Sequence, residues 1–139
     1  MMDVEGEDVM ALLESLRSSS NTTDFEVNTY DGSRLLIVGS FDLTYYHEVE
    51  IEFESVAYIE LPTLFDRPRL RIATAEESER LRYLDLSPPE KLYAIDTDPD
   101  TEDRTFYVAA ESVRARRCMV YHYQREDLKE GEEIAPWVE

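Results

Sequence analysis

The chain has one cysteine, Cys118, so no disulfide can close within it and the fold must hold by packing alone. Its two histidines, His47 and His122, are too few, with that cysteine, for a nitrogen- and sulfur-rich metal site. Four glycines in 139 residues leave no phosphate-cradling loop, and neither a G-x-S-x-G elbow nor an H-E-x-x-H pair is present. Apolar runs are short, and "LLIV" at 35–38 cannot span a bilayer. The start, "MMDVEGEDVM", is acidic where a secretory signal would be basic and then apolar. These absences point to a soluble cytoplasmic domain with no cofactor, no metal and no catalytic motif.

Positive charge is also scarce. Fourteen basic residues face 32 acidic ones, a formal net charge of −18. Such a field repels nucleic-acid backbones and anionic membranes, so any partner selected by charge is a basic protein. What the chain does have is a core: 42% of its residues are hydrophobic, with nine Tyr and five Phe, which argues against disorder. Its length suits one domain, residues 1–139.

Val9, Leu12, Leu13 and Leu16 recur at helical spacing, with acids before them, and predict an N-terminal helix. From Asp24 the period becomes two. "DFEVNTY" and "RLLIVGSF", joined by "DGS", predict a hairpin. "YYHEVEIEF" and "VAYIELP" read as two strands, with a bulge or short turn near Glu54–Ser55 where the apolar parity switches. "PRLRIAT" and "KLYAID" are further strands. "RTFYVAAESV" and "RRCMVYHYQ" read as two more. Thr74 with Glu77 three residues later is a capping box, which predicts a short inserted helix. The fold class expected is α+β, with a mostly antiparallel, strongly curved or barrel-like sheet, an N-terminal helix and a short inserted helix.

Strict alternation in "YHEVEIEFE" puts Glu48, Glu50, Glu52 and Glu54 on one strand face and His47, Val49, Ile51 and Phe53 on the other. On that pattern His47 points away from the glutamates and no His/Glu metal cluster forms without a local distortion. Four like charges along one strand repel, so something must offset them. Arg67, Arg69 and Arg71, or Arg114 and Arg116, alternate on strands of their own and supply cross-strand ion pairs if one row lies alongside. Otherwise the glutamates form a surface for a cationic partner. "DTDPDTED" begins like a calcium loop, with Asp96, Asp98 and Asp100, but Thr101 replaces the turn glycine and Tyr107 stands where a bidentate Glu is required. Cys118 and His122 on one extended strand lie roughly 13 Å apart, too far for a nucleophile and its base. Trp137, in "IAPWV", is either a plug on the core or an exposed anchor for another protein.

No motif assigns the chain to a family. In size, charge and want of catalytic motifs it resembles bacterial immunity proteins that neutralise a toxin domain. The function expected is therefore a non-catalytic acidic protein-binding domain, an inhibitor or immunity-type antagonist of a basic protein. Its candidate contacts are Glu48, Glu50, Glu52 and Glu54, a second patch at Asp96, Asp98 and Asp100, and Trp137. Two alternatives stand beside it. One is a small-ligand or modest enzymatic domain with a cavity lined by residues such as Tyr45, Tyr58, Tyr93, Tyr107 and Tyr121. The other is a homo-oligomeric assembly subunit.

Overall fold

The apolar positions at helical spacing become the buried stripe of a helix, and the alternating segments become one sheet. In the computed structural model, which describes residues 3–19, 21–97 and 104–139, the elements run β1 (Asp3–Glu5), α1 (Glu7–Ser19), β2 (Asp24–Tyr30), β3 (Leu35–Ser40), β4 (Tyr46–Glu60), β5 (Leu64–Asp66), β6 (Arg69–Ile72), α2 (Ala75–Arg80), β7 (Lys91–Asp96), β8 (Thr105–Tyr121) and β9 (Glu132–Ile134). The sheet order is β5-β2-β3-β4-β8-β7-β6, curled into a half-barrel, and all its pairs are antiparallel except β8 with β9. The α+β expectation holds.

Val9, Leu13 and Leu16 of α1 pack with Phe25, Ile37, Ile51, Phe53 and Val113 in the main core. The hairpin forms at "DGS": Gly32 adopts φ 95°, which favours glycine, and the Asp31 carboxylate accepts hydrogen bonds from the Ser33 and Arg34 amides. α2 carries the expected capping box, with Thr74 and Glu77 each bonding the other's backbone amide.

Two expectations need correction. β4 is one strand of 15 residues and β8 one of 17, where the sequence suggested two segments each. In β4 the irregularity expected near Glu54–Ser55 is present, since Ser55 has φ 54° and Ala57 is an extra residue between Val56 and Tyr58. The strand runs on through it, because β8 continues to supply hydrogen-bond partners. β8 is the spine of the fold. β4 runs along one edge of it, while β7, β1 and β9 follow one another along the other. The three-residue strands β1, β5 and β9 have no sequence signal of their own; they exist because longer strands offer free edges.

Candidate functional site

The glutamate row meets an arginine row. Glu50 lies opposite Arg116 and Glu52 opposite Arg114 across the β4–β8 ladder. Arg114 reaches Glu52 at 2.7 Å and Glu54 at 3.3 Å, and the Arg116 Nε donates to Glu50 Oε1 at 2.8 Å. Arg116 also bonds Glu133 from β9. Three of the four like charges are thus paired inside the fold by Arg114 and Arg116, and Arg34 adds a contact to Glu52. Arg71 is engaged elsewhere, with Glu77 and Asp96. Glu48 departs from the row, since its carboxylate accepts the Thr22 hydroxyl.

His47 overturns the simple alternation. Between Val49–Arg117 and His47–Val120 the register shifts, so that Cys118 and Met119 together oppose Glu48. This bulge breaks the alternation, and the His47 ring meets Glu50 instead of pointing away: Nε2 lies 2.7 Å from Glu50 Oε2. Its Nδ1 lies 2.8 Å from His122 Nε2, and His122 Nδ1 lies 2.8 Å from the Leu43 carbonyl. His47 is 1% exposed, and both of its ring nitrogens have partners.

The protonation of this chain follows from its ends. A carbonyl only accepts, so His122 Nδ1 carries a proton and donates to Leu43. The contact between the two rings needs one proton, and so does the contact between His47 and Glu50. Three hydrogen bonds need three protons where two neutral imidazoles bring two. The contact between His47 Nε2 and Glu50 Oε2 therefore needs a third proton. Burial alone would raise the Glu50 carboxyl, but hydrogen bonds from His47 and Arg116 outweigh it and hold it at about 2. His122 is lowered, chiefly by burial, against the opposing bond to Leu43. Burial, with the Glu50 charge, pushes the Cys118 thiol up to about 12, so it is a protonated side chain and a poor nucleophile.

Over this cluster lies an aromatic group. Trp137 stacks on His47 with centroids 6.4 Å apart and sits 5.3 Å from His122, yet stays 49% exposed. It covers the histidines on one side and faces solvent on the other. Tyr45 and Tyr123 meet edge to face at 6.3 Å, and Tyr123 meets Tyr121 at 5.7 Å. Tyr45 and Tyr123 are exposed, and the turn before Tyr45 presents Phe41 as well. The Arg125 guanidinium stands 4.2 Å over the Tyr121 ring and is held by Asp127. Residues 122–139 carry six carboxylates against two cations.

The remaining candidates lie apart. Asp96 is held by Arg71 and Thr105, and its carboxyl is lowered because those hydrogen bonds outweigh its burial. Asp98 and Asp100 lie outside the described residues. The tyrosines expected to line one cavity divide instead: Tyr93 packs on Phe53 in the main core, Tyr58 and Tyr107 lie with Leu92 in a second cluster, and Tyr45 and Tyr121 are at the aromatic end. The cavity in the main core between Leu13, Ile37, Phe53 and Phe65 measures about 10 Å³, room for one water at most. No helix among the described residues is long and apolar enough to cross a membrane.

The sequence could have hinted at the aromatic end, since Tyr121, His122 and Tyr123 are contiguous. Tyr45 and Trp137 join them only through the fold. No family model, curated protein or solved structure matches the chain.

Proposed function

We propose that this domain binds a basic protein, as an antagonist of the immunity type, through the aromatic end formed by Tyr45, Tyr123 and Trp137. The observation that carries this reading is the group of exposed aromatic rings set among unbalanced carboxylates. Exposed Tyr and Trp supply large contact area at low entropy cost, and their faces attract guanidinium and ammonium groups. Arg125 on Tyr121 displays that chemistry within the chain itself. The glutamate row takes a smaller part, because Arg114 and Arg116 already compensate Glu50, Glu52 and Glu54. The net charge of −18 steers a cationic partner toward the domain, and the aromatic rings retain it.

The test is capture from host lysate on the tagged wild-type domain and on the Tyr123→Ala/Trp137→Ala double variant, eluted in steps of salt. A protein of high pI that the wild type retains at low salt and the variant loses supports the reading. Equal retention by both, or retention of no basic protein, overturns it.

A further inference from the structure

Beneath Trp137, and independent of any partner, three side chains able to ligate a metal converge. A ring nitrogen of His47, a carboxylate oxygen of Glu50 and the Cys118 Sγ all lie within 4.8 Å of one another. Imidazole, carboxylate and thiol form a borderline-soft donor set that suits zinc rather than calcium or magnesium. The second layer is in place. His122 Nδ1 donates to the Leu43 carbonyl and His47 Nδ1 to His122 Nε2, which leaves His47 Nε2 as the ring nitrogen that faces Glu50. Arg116 holds Oε1 of Glu50, so Oε2, now against His47 Nε2, is the oxygen presented as a monodentate ligand.

We propose that His47, Glu50 and Cys118 form a binding site for a zinc-class divalent cation, which replaces the proton in the His47–Glu50 gap. The spacing fits exchange of one cation for another. Ligand atoms around tetrahedral zinc stand about 3.4–3.6 Å apart. The 2.7 Å between His47 and Glu50 is the span of a hydrogen bond, so these two side chains part by somewhat under 1 Å while Cys118 moves inward. The exchange balances: one Zn²⁺ enters, the gap proton and the Cys118 thiol proton leave, and two protons are released per ion. The bound thiolate and carboxylate then offset the two charges of zinc, with water at the fourth position. Trp137, stacked on His47, limits access of solvent to the ion.

The test uses the full chain, titrated first with Co²⁺ and then with Zn²⁺, alongside a Cys118→Ala variant whose fold is checked by circular dichroism. The expected result has four parts: a thiolate-to-cobalt charge-transfer band at one ion per chain, its displacement by Zn²⁺, release of two protons per zinc, and quenching of Trp137 fluorescence by cobalt. Cys118→Ala abolishes the band and weakens zinc binding at least about tenfold. No charge-transfer band at millimolar cobalt overturns the proposal. Zinc affinity unchanged in Cys118→Ala also overturns it, because surface carboxylates would then be the ligands.

Discussion

Glu77 gathers four connections in one side chain. It bonds the Thr74 amide, takes Arg71 through both carboxylate oxygens, and accepts the Tyr107 hydroxyl. The hydrogen bond from Arg71 is the largest cause holding its carboxyl well below the ordinary range, against the opposing effect of burial. Glu77→Ala is expected to cost about 2–3 kcal/mol in urea unfolding, because Arg71 and Tyr107 lose their partner in a part-buried setting. The sign with pH follows from the lowered pKa. The Glu77 contribution is fully present above the unfolded value of about 4.3 and is lost as pH falls through that value toward the folded one. The stability gap between wild type and Glu77→Ala should therefore narrow below about pH 4; a gap that widens there would contradict the assignment. Half of this residue's role was legible in sequence, since a capping box is a spacing of three. Arg71 and Tyr107 come from strands β6 and β8, and nothing beside Glu77 announces them. His47 was misplaced for a similar reason. Alternation is a property of one strand, but the bulge that breaks it is carried by Cys118 and Met119 on the strand opposite.

The elements were clearest where local chemistry decides them. The α1 stripe, the "DGS" hairpin and the cap of α2 each follow from residues within one turn of each other. The unbroken length of β4 and β8 did not, because each strand persists through an irregular stretch only while the other pairs with it. Two substitutions probe this level. In β3, a Cβ at Gly39 would collide with the Phe25 ring, which is 1% exposed and closed in by Phe65. Gly39→Ala is therefore expected to destabilise by about 1–3 kcal/mol in thermal unfolding, and a neutral result would show that the β2–β3 ladder yields more readily than its packing implies. Across the β4–β8 ladder, Arg114→Ala should cost under about 1 kcal/mol, since its pairs with Glu52 and Glu54 face solvent. A larger loss would make the ladder a major source of stability rather than a local compensation of charge.

At the scale of the whole molecule, the acidic excess was plain in the composition but its useful location was not. In the row that looks most negative in sequence, the fold pairs Glu50, Glu52 and Glu54 with arginines. The aromatic end becomes a candidate surface only when the turn at 41–45, the end of β8 and the tail meet. Charge and aromatic contact should then separate kinetically: charge sets how fast a partner arrives, and buried rings set how long it stays. The measurement that tests this most directly is association and dissociation of the captured basic partner at several ionic strengths, on wild type and on Tyr123→Ala/Trp137→Ala. The account expects association to slow with salt for both proteins, and dissociation to quicken at least about tenfold in the variant alone. Equal dissociation rates would place the binding surface elsewhere on the molecule.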